Sequence, residues 1–239
     1  MIDRYQRQIL IDQIGREGQR KLADSSIVVI GTGGLGSPVL TYLAAAGVGR
    51  LGLIDGDVVA PSNLNRQFLH GENDIGRPKA YSAKEALTAL NSEIEITAHA
   101  ERLTEKNAAA LLAGYDIAIG AVDSFSSRSI INKTCIALDI PYIDGGISGF
   151  SGCVVYSNPP DCACFNCVFP EKSTAKEAEG VLGTTAGMIG TVAANIALLE
   201  LLGLKNPVRN KLFLYDGLRM STSLIEILRS EACPVCGTV

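Results

Sequence analysis

Short β-branched apolar runs alternate with longer stretches of helical periodicity through the first 145 residues. Residues 26–30 (SIVVI), 50–54 (RLGLI), 94–98, 117–121 and 142–144 read as strands. Between them, 35–46, 79–90, 105–112 and 126–138 place apolar residues at helical spacing. This alternation predicts an α/β fold, a Rossmann-like, doubly wound and mostly parallel sheet, with its nucleotide-binding part over 25–145. Residues 1–24 are polar and helix-prone and read as an N-terminal arm. Beyond 146 the texture changes. Residues 152–157, 210–215 and 221–228 are strand-like, whereas 159–179 is long and irregular, so 146–239 is expected to extend the sheet with antiparallel strands and a crossover segment. The whole of 1–239 then reads as a single domain. Residues 186–204 are apolar enough to pass for a membrane span, but Gly187, Gly190, Asn195 and Glu200 interrupt them and no basic flank orients them. A buried helix fits better.

Composition narrows the picture. With 239 residues and 47% hydrophobic content the chain can bury a full core. Its net charge of −4, with Lys and Arg scattered, offers no footprint for nucleic acid or an anionic membrane. The opening MIDRYQRQIL has charges where a signal peptide needs an apolar core, so a cytoplasmic, reducing setting is expected. Four of the seven cysteines form two Cys-x-x-Cys pairs, which in such a compartment points to metal rather than disulfides.

The first strand runs into GTGGLGSP at 31–38. Gly31, Gly33 and Gly36 have the spacing of a nucleotide-binding turn, and Asp55 closes the second strand at the distance of a ribose-binding carboxylate. Such a turn lets backbone N–H groups and a helix N-terminus approach a phosphate. NAD and ATP both fit this much. Asn63, Arg66 and Lys79 follow near the strand ends; a reacting triphosphate uses fixed Arg and Lys cations to stabilise developing charge, whereas a dinucleotide pyrophosphate has less need of them. Each taken alone could be an ordinary surface residue. Asp123 ends the fourth strand on the ligand-binding edge, where a carboxylate facing a triphosphate would need Mg²⁺ between them; it would serve equally well as the N-cap of the following helix.

Six motifs in order carry a resemblance over nearly the whole chain: RYQRQI at 4–9, GTGGLGSP at 31–38, DGDVVAPSNLNRQ from 55, GRPKA at 76–80, AVDSFSSR from 121, and the pairs Cys164/Cys167 and Cys233/Cys236. The chain resembles the ThiF/MoeB/HesA group of adenylyltransferases, bacterial relatives of the ubiquitin-activating enzymes. The resemblance implies ATP-dependent adenylylation of the C-terminal glycine carboxylate of a small ubiquitin-like sulfur carrier of the ThiS or MoaD kind, with release of pyrophosphate, in sulfur-containing cofactor biosynthesis. It places Gly34 on the nucleotide loop, Asp55 on the ribose, Asn63, Arg66 and Lys79 on the phosphates, and Asp123 on Mg²⁺. Arg7 resembles an arginine that a partner subunit inserts into the site, which implies a homodimer. A sulfurtransferase is a further expected partner.

The four cysteines have structural zinc spacing, and a four-cysteine site leaves no open position for chemistry. A redox pair is the competing reading, weakened because neither pair starts a helix after a strand. Cys162 lies close enough to confuse the ligand set, Cys135 and Cys153 are expected only to pack, and His70 and His99 are expected to be structural without nearby partners. One departure from the family stands out. Its ThiF-like members commonly carry a cysteine before the buried helix, but here Lys176 takes that position and 171–180 holds no cysteine. The enzyme is therefore expected to stop at the acyl-adenylate, with Cys162 the nearest unassigned thiol. Two other classes share part of the pattern. An NAD-dependent oxidoreductase would share the glycine turn and Asp55, but Arg66, Lys79 and the lack of a Tyr/Lys or His/Asp redox pair argue against it; a non-catalytic, zinc-stabilised binder of a ubiquitin-like protein would share the cysteines, but Arg66, Lys79 and Asp123 argue against that.

Overall fold

The computed structural model describes residues 3–170 and 180–237. Five parallel strands form one side of its sheet: β1 (Ser26–Ile30), β2 (Arg50–Ile54), β3 (Glu95–His99), β4 (Ile117–Gly120) and β5 (Tyr142–Ser148). The sheet continues antiparallel through β6 (Ser151–Ser157), β7 (Lys211–Asp216) and β8 (Ser221–Glu226). Among the described residues it has eight strands in the order β3-β2-β1-β4-β5-β6-β7-β8. The expected mixed α/β architecture is therefore present.

Strand periodicity sorts the core. Ile27 and Val29 of β1 join one apolar cluster, and Val28 and Ile30 join the other, because successive side chains leave a strand on opposite faces. Helices α3 (Gly36–Ala46), α4 (Lys79–Leu90) and α8 (Gly183–Leu202) supply Leu40, Leu43, Leu87 and Ile189 to the first cluster. On the other face, α5 (Ala108–Leu112), α6 (Phe125–Ala137) and α7 (Phe165–Val168) supply Leu112, Ile131 and Phe165. Each such side chain, fully buried, contributes about 1.5–3 kcal/mol. Helix α8 is the apolar stretch that could pass for a membrane span, and half of its length is buried, against α3, β5 and β6.

Two boundaries differ from the sequence reading for identifiable reasons. Helix α5 starts at Ala108 instead of 105, because the Asn107 side chain accepts from the Thr104 backbone N–H at 2.7 Å and hydroxyl at 2.9 Å, holding 104–107 as a turn. Strand β5 continues past 144 because Gly145 and Gly146, which interrupt the apolar run, pair antiparallel with Val154 and Cys153.

The N-terminal arm comprises a 3₁₀ turn (Asp3–Tyr5), α1 (Gln6–Ile9) and α2 (Gly15–Ala23). It docks on the C-terminal ends of α3 and α4. Gln8 and Gln19 both donate to the Ala46 carbonyl at 3.0 Å, and Asn91 donates to the buried Tyr5 hydroxyl at 2.8 Å.

Candidate active site

Strand order reverses between β1 and β4, so the connections leaving their carboxyl ends diverge and open a crevice. The glycine turn fills the β1 side of it. Gly31 has φ +98°, and a Cβ there would run into the Ala121 carbonyl oxygen; a Cβ on Gly36 would strike the Gly31 carbonyl oxygen. Only glycine permits this close crossing of the chain at both positions. Asp55 then locks the turn from the end of β2. Its Oδ2 accepts from the Thr32 N–H at 2.8 Å and hydroxyl at 3.0 Å, and its Oδ1 accepts from the Asp57 N–H at 2.9 Å.

The cationic residues lie around this turn. The Arg66 side chain passes 3.3 Å from where a Cβ of Gly34 would stand, and its guanidinium donates to the Ser62 carbonyl and the Asn65 side chain. Lys79, only 7% exposed at the start of α4, reaches Asp57 Oδ2 at 3.2 Å. Asn63 uses its Oδ1 to accept from the Ala60 N–H at 3.0 Å, closing the turn that leads to Arg66. The α8 N-terminus adjoins the same place, since Gly183 packs on Asn65 and Arg66 and Ala186 on Gly34. Two helix N-termini, those of α3 and α8, thus lie beside one turn, an arrangement that favours an anion.

Asp123 follows β4, two residues after the Ala121 that touches Gly31. Ser124 caps α6, its hydroxyl accepting from the Ser127 N–H at 3.1 Å. Asp123 is therefore not the cap. Its carboxylate is exposed, with no hydrogen bond or ion pair among the described residues, and such a free hard-oxygen donor fits Mg²⁺.

Arg7 is exposed on α1 and does not meet these residues within its own chain. The arm packs at the far end of α3, about 16 Å of helix from the glycine turn.

Four residues that carry the geometry escaped the sequence reading as site residues. Thr32 and Asp57 link the turn, Asp55 and Lys79. Arg128, inside the AVDSFSSR motif, donates from Nη2 to the Val122 carbonyl and from Nη1 to Asp144 Oδ2, both at 3.0 Å. Asp144, 1% exposed, also accepts from the Tyr142 hydroxyl at 2.6 Å. Burial lifts Asp144 to about 6, although Arg128 and Tyr142 oppose the rise. A charged residue inside the buried run YIDGG was the available signal.

His70 departs from expectation by having partners: its ring nitrogens lie 2.9 Å from the Ser82 hydroxyl and 3.1 Å from the Thr32 carbonyl. Burial pushes it down, and the neutral ring braces the glycine turn.

Cys164, Cys167, Cys233 and Cys236 converge, their sulfurs all within 4.8 Å of one another and 3.4–3.8 Å apart along three edges. Tetrahedral zinc with bonds of about 2.3 Å spaces its sulfurs about 3.8 Å apart, so the cluster could hold such an ion. Cys162 is buried in the main core with Tyr156 and Val208, outside this cluster. Cys135 packs in the other core, burial pushing its thiol up to about 12. Lys176 lies outside the described residues.

The chain is similar to known proteins over nearly its whole length. The ThiF family model matches residues 5–235. The chain is 40% identical over 247 residues to the sulfur carrier protein adenylyltransferase of Thermus thermophilus, covering 99% of this chain and 91% of that one. It is 40% identical over 238 residues to the sulfur carrier protein ThiS adenylyltransferase of Escherichia coli, covering 98% and 94%. Among solved structures, Escherichia coli MccB crystallised with AMPCPP and selenomethionine MccA superposes with a TM-score of 0.89 at 25% identity, over 98% of this chain and 74% of that one. On a match that spans nearly every described element, the chain belongs to the ThiF family.

Proposed function

We propose that this protein is an ATP-dependent adenylyltransferase acting on the C-terminal glycine carboxylate of a small ubiquitin-like sulfur carrier of the ThiS or MoaD kind, in sulfur-containing cofactor biosynthesis. The convergence of the glycine turn, Arg66, Lys79 and Asp123 at the switch point carries the reading. Near-full-length identity to sulfur carrier protein adenylyltransferases supports it. A carboxylate oxygen of the carrier attacks the α-phosphorus of ATP, an oxygen–phosphorus bond forms, the α–β phosphoanhydride breaks, and pyrophosphate leaves.

The glycine turn and the α3 N-terminus receive the phosphates, and Asp55 takes the ribose while holding the turn through Thr32. Lys79 exchanges Asp57 for phosphate oxygens, and Arg66, beside Gly34, neutralises charge on the leaving group. Asp123 holds Mg²⁺, which when bound screens the triphosphate and polarises its oxygens. Arg7 is supplied by the partner subunit of a homodimer, a role supported by its distance from the glycine turn of its own chain. The cysteine cluster takes structural zinc. Four thiolates need reducing surroundings, which supports a cytoplasmic location.

The test is exchange of labelled pyrophosphate into ATP with ThiS- and MoaD-type carriers. Exchange should require Mg²⁺ and a carrier ending in glycine, and Asp123→Ala should lower it on the order of a hundredfold or more. Exchange at full rate in that variant would remove Asp123 from the metal role. Wild-type protein that exchanges with no carrier would remove the substrate assignment.

A further inference from the structure

We propose that Arg128 and Asp144 are positioning residues for Asp123, a pair that fixes the turn carrying its carboxylate where Mg²⁺·ATP requires it; the proposal rests on the adenylyltransferase reading. Three contacts hold the β4–α6 turn. At its start, the Ala121 N–H donates to the Ile30 carbonyl at 2.8 Å. At its end, Ser124 caps α6. Between them, Asp123 has no side-chain bond of its own, and the carbonyl just before it, that of Val122, is taken by Arg128 Nη2 at 3.0 Å. Arg128 is the only described side chain bonded to that part of the turn, so it sets where the carboxylate stands.

Asp144 sets where Arg128 stands. In the β4–β5 register it lies opposite Gly120, the last residue of β4, and it receives Arg128 Nη1 at 3.0 Å and the Tyr142 hydroxyl at 2.6 Å. The ion pair is 15% and 1% exposed on its two sides. Desolvating such a pair consumes most of its attraction, and an apolar pair of similar volume would hold the fold as well or better. Fold stability is therefore a poor reason for it, whereas geometry is a good one. The guanidinium spans two acceptors with fixed angles and so links β5 rigidly to the β4 turn. An ammonium is a point charge and cannot hold both in that geometry. A displacement of about 1 Å in a reacting constellation can cost on the order of a hundredfold in rate.

Arg128→Lys tests this, because it keeps a cation beside Asp144 while giving up the fork. Calorimetry measures ATP affinity with and without Mg²⁺, and pyrophosphate exchange measures turnover with carrier. Thermal melting is followed alongside. The lysine variant should bind metal-free ATP within about twofold of wild type, lose most of the Mg²⁺-dependent gain in affinity just as Asp123→Ala does, and lose tenfold or more in kcat with the carrier KM unchanged. Asp144→Asn, whose single side-chain oxygen can still accept from Arg128 while its amide nitrogen replaces the oxygen that faces the Tyr142 hydroxyl, should retain more of the gain than Arg128→Lys. Wild-type Mg²⁺ dependence and kcat in Arg128→Lys would overturn the proposal, as would wild-type protein whose ATP affinity ignores Mg²⁺. If no carrier is turned over, the substrate reading fails while calorimetry still decides this one. Should Arg128→Lys not fold, the double variant Arg128→Met/Asp144→Leu, which leaves no charge buried, is judged by the same results.

Discussion

If the cysteine cluster holds the proposed zinc, removing it should loosen the C-terminal region by an amount the chain connectivity sets. Sixty-five residues separate Cys167 from Cys233, including the crossover segment, α8, β7 and β8. A cross-link closing a loop of that size removes about 4 kcal/mol of chain entropy from the unfolded state. In a protein of this length that corresponds to a fall in Tm of about 10 °C. Zinc should be found at about one per chain by elemental mass spectrometry, and a chelator under reducing conditions should produce that fall by scanning calorimetry. ATP binding should survive at temperatures where the C-terminal region has loosened, because the glycine turn is held by Asp55 and His70 and by none of the cysteines. Cys162→Ala separates the metal from packing. It should keep full zinc and lose only about 1 kcal/mol, since that side chain is buried in the main core away from the four ligands. A metal-free preparation with unchanged Tm would refute the structural role. Loss of zinc in Cys162→Ala would refute the ligand set.

Two further outcomes follow from the charged residues. Arg7→Ala and Asp123→Ala homodimers should each be nearly inactive, but after subunit exchange a mixed dimer holds one site with both residues intact, so exchange activity should partly return; no recovery despite verified mixing would deny the shared site. Asp144 rises from 3.8 to about 6 on folding, so the native state binds that proton more tightly than the unfolded chain. The stabilisation is complete below about pH 4 and is lost as pH rises through about 6, roughly 3 kcal/mol at most. Urea denaturation from pH 4 to 7 should show this slope in wild type and a flatter one in Asp144→Asn, and equal slopes would contradict the assignment.

What could be read in advance depended on how locally each feature is encoded. Strands β1, β2 and β4 are buried on both faces and need unbroken apolar runs, which makes them visible in the sequence within a residue of their ends. The glycine turn is legible for a similar reason, since the chain crossing at Gly31 and Gly36 excludes any Cβ. The cysteine pairs are legible because metal binding dictates ligand type and spacing, although nothing local says that Cys162, two residues before the Cys164 of the cluster, turns into the core instead. Helix α5 and the end of β5 depart from the periodic pattern, because one side chain, Asn107, and two pairing glycines override it.

The supports of the site are harder to see because they are long-range. Thr32 gains its role only when β2 brings Asp55 beside it, and His70 only when the 3₁₀ turns Pro61–Asn63 and Glu72–Asp74 and helix α4 fold it under the glycine loop. Asp144 and Arg128 are sixteen positions apart on different elements, joined only by the alignment of β5 with β4. An arginine one helical turn into α6 reads locally as a solvated residue, and an aspartate at a strand end reads as an approaching loop. Their pairing inside the sheet contradicts both local readings, and such a contradiction between local preference and placement is expected where a geometry is being held for chemistry. The residues proposed to touch ATP can thus be named from motifs, whereas the residues that decide where those side chains stand require the sheet order. The strand reversal that opens the crevice between β1 and β4 also sets Asp144, on the neighbouring β5, beside the turn that carries Asp123.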